Sequence, residues 1–155
     1  MIDFQRIFHT GIVVDDLATA QRELGETMNL EWTPVRVFDP LPFWTPADGL
    51  QHYRVEAVYS RAGPHHLEIC KGPKGSFYDP AVFPDGRHVG VWVDDLKAET
   101  EKLIAAGWVV IGAGAPPEEG YGVLCYLRPP TAGFVVELVS EVLRPAMEAW
   151  WSATE

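Results

Sequence analysis

Two stretches of the chain carry the same order of apolar and polar positions. Residues 8–17 read FHTGIVVDDL and residues 87–96 read RHVGVWVDDL, sharing H-x-G-[IV]-x-V-D-D-L without a gap. Each copy is a short β-branched run that ends at Asp-Asp. Each then passes into helical spacing, over 17–29 and 96–107, with the acid pair where first-turn carboxylates and N-caps stabilise a helix. Gly107 follows the second helix as a C-terminal stop. Three further runs rich in Val, Ile, Tyr, Phe and Trp come after each helix: 30–38, 51–60 and 65–71 in the first half, and 108–113, 121–128 and 133–140 in the second. Each half therefore reads β-α-β-β-β. Residues 39–50 (DPLPFWTPADGL) are predicted as a Pro-rich loop, 72–86 as a Gly/Pro-rich linker, and 143–151 as a short terminal helix.

This pattern predicts an α+β fold. Residues 1–155 form a single domain of two tandem βαβββ modules, about 5–72 and 86–141, with a C-terminal helical tail over 143–151. Half of the chain is too small to hold a good core alone. Two packed copies make a curled, pseudo-symmetric mixed sheet around a shared cleft.

Composition narrows the function classes. Acidic residues outnumber basic ones 22 to 12, for a net charge of −10. Without a Lys/Arg cluster, neither nucleic acid nor an anionic membrane surface is an expected partner. No apolar run reaches membrane-spanning length and no signal-peptide pattern is visible. Cys70 and Cys125 are the only cysteines and lie far apart, which suits a reducing cytoplasmic setting. Both read as buried and inert.

The repeat also repeats chemistry. His9 and His88 stand near the start of equivalent strands. Glu68 (HHLEICK) and Glu137 (GFVVELVS) lie in the last strand of each half, between apolar neighbours. Burying an unpaired carboxylate is costly, and a metal, a His or an Arg removes most of that cost. Taken alone, a strand His is more often a hydrogen-bonded core or edge residue than a ligand, and a strand Glu is usually paired or exposed. Recurrence at equivalent places makes His9, Glu68, His88 and Glu137 a candidate set for a divalent first-row ion. Glu56 reads either as a proton-transfer carboxylate or as a partner of Arg54 or Arg36, and His66 as an acid/base or an exposed strand residue. Phe43 and Trp44 in the long loop, with Tyr53 and Tyr121, are candidate substrate-binding residues for a bulky apolar molecule.

The doubled β-α-β-β-β order, the two H-x-G-x-x-V-D-D-L segments and the two late-strand glutamates resemble the vicinal oxygen chelate superfamily over roughly residues 5–141. That superfamily holds glyoxalase I, methylmalonyl-CoA epimerase, bleomycin-resistance proteins and extradiol dioxygenases. The resemblance implies that His9, Glu68, His88 and Glu137 ligate a metal, with Glu137 also the catalytic base. Zn, Ni, Co, Mn and Fe all suit such donors.

The implied function is a metal-dependent isomerase, epimerase or lyase of glyoxalase type. It would chelate adjacent oxygens of a small-molecule substrate and stabilise an enolate-like intermediate. The alternatives are an iron-dependent ring-cleaving dioxygenase, a non-catalytic drug-sequestering protein, and a thiol transferase acting on an antibiotic epoxide. A homodimer is expected, because curled sheets leave edges to protect. Trp150 and Trp151 are either its contact or residues folded back on their own sheet.

Overall fold

The second aspartate of each Asp-Asp pair starts a helix. Asp16 accepts from the Thr19 amide and Asp95 from the Ala98 amide, both at 3.0 Å, which satisfies a first-turn N–H in each case. The computed structural model describes residues 2–83, 87–131 and 133–155. Of the linker predicted over 72–86, residues 84–86 lie outside the described residues. The first half contains β1 (Ile7–Val13), α1 (Leu17–Met28), β2 (Arg36–Thr45), β3 (Gly49–Tyr59) and β4 (His66–Lys71). The second contains β5 (Arg87–Val93), α2 (Leu96–Ala105), β6 (Val109–Ala113), β7 (Leu124–Arg128) and β8 (Val136–Ser140), and α3 (Arg144–Ser152) follows. Gly107, at φ +91°, ends α2 in the left-handed region that glycine adopts without strain.

The sheet curls until it closes, in the order β1-β4-β3-β2-β6-β7-β8-β5. The pairs β1/β4 and β5/β8 are parallel, and the others are antiparallel. The halves join firmly along β1/β5 and touch again at the β2/β6 pair Trp44↔Ala113. Helix α1 covers the outer face through Leu17 and Leu24, which pack with Val58 and Ile69. Helix α2 covers the other half through Leu96 and Leu103, which pack with Val91, Val93 and Leu138. No helix among the described residues is long and apolar enough to cross a membrane.

One sequence expectation changes here, and one open alternative is resolved. Residues 39–50 are not a loop: β2 runs to Thr45 and pairs with β3 from Arg36↔Ala57 to Thr45↔Gly49, leaving a tight turn at 46–48. The prolines are tolerated because β2 meets β6 only at Trp44, so along most of that side no neighbour needs its N–H groups. A register shift between Phe38 and Leu41 takes up Pro40. The alternative concerns the tail, where α3 folds onto its own sheet. Trp150 is 3% exposed, its indole N–H donates to the Pro34 carbonyl at 2.8 Å, and its ring meets Tyr59 edge-on at 5.0 Å. Trp151 stacks on His66 at 3.9 Å, and Arg61 donates to the Ser152 and Ala153 carbonyls. Trp150 therefore has no surface left for a second subunit. With Met147, it roofs a cavity of about 270 Å³ enclosed by the inner face of the sheet.

Candidate metal centre

The glycine of each H-x-G motif makes room for the histidine of the other. Strands β1 and β5 run antiparallel with His9 opposite Gly90 and Gly11 opposite His88. Their outer neighbours add Glu68 opposite Gly11 and Glu137 opposite Gly90. Two rows result: Glu68–Gly11–His88 and Glu137–Gly90–His9. In each row the central residue has no side chain, so the imidazole lies across its backbone. A Cβ on Gly90 would sit 2.0 Å from His9 Cε1, and one on Gly11 would sit 2.1 Å from His88 Cε1. The motif is thus two halves of one packing device.

All four side chains are buried, and their donor atoms lie within 4.8 Å of one another. The two imidazole Nε2 atoms are 3.2 Å apart. Glu137 Oε2 is 3.1 Å from His9 Nε2 and 3.2 Å from His88 Nε2. Glu68 Oε1 is 3.9 Å and 3.5 Å from the same nitrogens. Donors about 2.0–2.2 Å from a shared ion stand roughly 3.0–3.5 Å apart at right-angled to tetrahedral positions. Glu137 Oε2 has no hydrogen-bond partner despite its burial, so its imidazole contacts are ionic and poorly aligned for hydrogen bonding. A buried orphan oxygen facing two imidazole nitrogens suits a cation, and the donor set fits a divalent first-row ion.

The two carboxylates are held differently. Glu68 receives the Tyr59 hydroxyl on Oε2 and the Cys70 thiol on Oε1, at 3.0 Å for the thiol. Burial pushes the Tyr59 hydroxyl well above its ordinary value, and the neighbouring Glu68 charge adds to this. Burial and Glu68 do the same to Cys70, so both remain protonated donors. Glu137 has no such restraints. Both glutamates line the cavity, with His9, Tyr59, Tyr78 and Tyr126.

Burial disfavours the His88 imidazolium, but Glu137 and Glu68 more than offset it and raise its pKa to about 9. Burial likewise disfavours the Glu137 carboxylate, yet His88 and His9 hold it down at about 2. In chelator-treated protein the His88 contribution to stability is full below 6.5 and lost as pH rises through about 9. The Glu137 contribution is full above 4.5 and lost as pH falls through about 2. A cation competes with the His88 proton. Metal uptake at pH 7 is therefore expected to release about one proton per ion, and almost none above pH 10. Calorimetry in buffers of differing ionisation enthalpy measures this directly. Uptake at pH 7 without proton release would exclude the charged His88.

The other candidate residues lie elsewhere. Phe43, Trp44, Tyr53 and Tyr121 do not line the cavity. Phe43 is fully buried in the core, 4.6 Å from the Phe77 ring, because it belongs to a strand and not to a loop. Trp44 and Tyr121 pack with the cluster beneath α2, and Tyr53 packs at the core margin. Glu56 pairs with Arg54 outside the barrel, and His66 Nδ1 donates to the Ser60 carbonyl beneath Trp151. Sequence reading missed Phe8, Val139 and Met147 as lining residues. Phe8 is the extra residue at a register shift between Ile7 and His9, and bulges leave no mark in an alternation pattern.

The chain belongs to the glyoxalase/bleomycin resistance protein/dioxygenase superfamily, whose family model matches residues 8–126. That span contains His9, Glu68 and His88, and Glu137 lies beyond it. Among solved structures, methylmalonyl-CoA epimerase from Mycobacterium tuberculosis is similar at 16% identity and a TM-score of 0.57, covering 95% of this chain and 97% of that one. A Streptomyces coelicolor methylmalonyl-CoA epimerase variant in complex with 2-nitronate-propionyl-CoA is similar at 20% identity and a TM-score of 0.53, covering 87% and 93%. A hypothetical protein from Bacillus halodurans is similar at 17% identity and 0.53, with the same coverage. No curated protein sequence matches the chain.

Proposed function

We propose that the protein is a metal-dependent isomerase, epimerase or lyase of glyoxalase type, with His9, Glu68, His88 and Glu137 as the ligands of one divalent ion. The observation that carries this reading is the convergence of four buried donors at the floor of a roofed cavity. When bound, the ion supplies a Lewis acid for paired substrate oxygens and steadies negative charge that develops on them. The protein does the rest. The apolar walls exclude water and hold the substrate carbon over the floor. Glu137, whose carboxylate no protein hydroxyl or amide restrains, takes the proton from the carbon beside the carbonyl on the oxygen that is not on the ion, and returns it. Glu68, fixed by Tyr59 and Cys70, serves as a ligand only. Four donors in place of the two-His, one-carboxylate set of a facial triad favour this reading over a ring-cleaving dioxygenase.

The test is hydrogen exchange at carbon. Metal-loaded protein in D₂O is expected to wash deuterium into the α-position of 2-hydroxy ketones or 2-substituted acyl thioesters, followed by NMR. Chelation should stop the exchange, and re-addition of one divalent ion should restore it. Loaded protein that consumes oxygen with catechols and exchanges no α-proton would overturn the proposal in favour of the dioxygenase.

A further inference from the structure

The cavity has a second pole. Apart from the metal-centre carboxylates, its walls are mostly carbon: Phe38, Leu41, Val55, Leu124, Leu143 and Met147 among others. One cation, Arg36, stands among the lining residues. It begins β2 opposite Ala57, which also lines the cavity. Its guanidinium carbon lies 4.6 Å over the Trp150 ring. That ring is fixed by the Pro34 carbonyl and by Tyr59, so the arginine rests on a rigid platform.

Arg36 lacks what the neighbouring arginines have. Arg6, Arg54 and Arg144 each pair with a carboxylate. Among the described residues no carboxylate pairs with Arg36, although the chain carries 22 acidic side chains. A ring face holds a guanidinium in place but accepts none of its five N–H donors in their own plane. Arg36 is exposed where the cavity opens to solvent, so its fork is available to a ligand, and a carboxylate is its best planar partner.

We propose that Arg36 anchors the anionic end of the substrate, and that the substrate is a small carboxylate with an apolar body. This rests on the function proposed above. Paired oxygens lie at the floor, the apolar body fills the walls, and the far carboxylate meets Arg36. A cavity of about 270 Å³ has the volume of roughly nine waters at about 30 Å³ each, which limits the body to a small molecule. Arg36 is the specificity residue of the site. A neutral substrate would leave its fork unused, and a polyanion would find a single cation among the cavity-lining residues.

Alkyl hydroxamates test this, because they present two adjacent oxygens and accept any tail. Cobalt(II)-loaded protein is titrated with a chain-length series ending in methyl or in carboxylate, read by the visible absorption of the ion. At one chain length the carboxylate-ended probe is expected to bind tenfold or more tighter than its methyl-ended twin. Arg36→Gln should weaken the carboxylate-ended probe about 10–100-fold, as loss of a charged hydrogen bond does. It should leave the methyl-ended probe and the cobalt content unchanged. Arg36→Lys should recover part of the preference. A charge preference that survives Arg36→Gln, or a wild-type protein that prefers the methyl-ended series throughout, overturns the assignment of Arg36 alone. If no hydroxamate perturbs the cobalt spectrum, the metal centre itself fails and the anchor falls with it.

Discussion

Gly90→Ala is expected to abolish divalent-ion binding at the proposed centre while leaving the fold intact. The added methyl would lie 2.0 Å from His9 Cε1 and 2.3 Å from His9 Nδ1, closer than non-bonded atoms approach. The imidazole cannot keep its place. It is 1% exposed, and Phe8 and Tyr59 stand at ring distances of 4.5 Å and 5.6 Å. Gly90 is not in the left-handed region, so alanine costs nothing in backbone strain. The whole effect falls on the position of one ligand. Disturbing the support of a ligand typically weakens metal binding 10–100-fold, and moving the ligand itself should exceed about 100-fold. Gly11→Ala should act the same way through His88, at 2.1 Å. Gly114→Ala, whose nearest neighbour would be 3.6 Å away, is the control. Elemental analysis after dialysis reads metal content, and circular dichroism reads the fold. Full metal occupancy in folded Gly90→Ala protein would refute the reciprocal packing of the two motifs.

The second large effect belongs to Glu137→Gln. General-base catalysis contributes about 10²–10⁴ in rate, so kcat should fall roughly 10³-fold. An amide oxygen still coordinates weakly, and part of the metal should remain. Normalising the rate to bound metal separates lost base from lost ligand. Glu68→Gln provides the contrast. Its amide keeps one accepting oxygen where the carboxylate has two, so it unseats either the Tyr59 or the Cys70 donor and should cost metal in proportion to rate. A Glu137→Gln enzyme that turned over at near-wild-type rate per bound ion would assign the base to another group.

Much of this molecule was legible in one dimension because it is written twice. Two H-x-G-x-x-V-D-D-L segments, each followed by a helix and a late strand with an embedded glutamate, identified the β-α-β-β-β order and the superfamily. The caps at Asp16 and Asp95 and the stop at Gly107 are local events, governed by residues within one turn. Local signals survive in sequence. The reading failed over residues 39–50, where proline usually marks a loop. Whether a strand tolerates proline depends on whether a neighbour needs its N–H, and β2 meets β6 at one pair only. Phe43 was misplaced for the same reason, since a residue assigned to a loop has no inward or outward face.

What the sequence determined by itself was the repeat, its helix boundaries and the four residues able to ligate a metal. Register was decided only in three dimensions. Nothing in H-x-G says that its glycine serves the other copy's histidine, because that follows from antiparallel pairing of strands far apart in the chain. The roof was decided there too. Trp150 binds Pro34 and Arg36, more than a hundred residues away, and of the two readings open for it the one folded back on its own sheet is the one found. Apolar burial is non-directional, so a tryptophan's composition and position in the chain do not say which apolar surface will cover it.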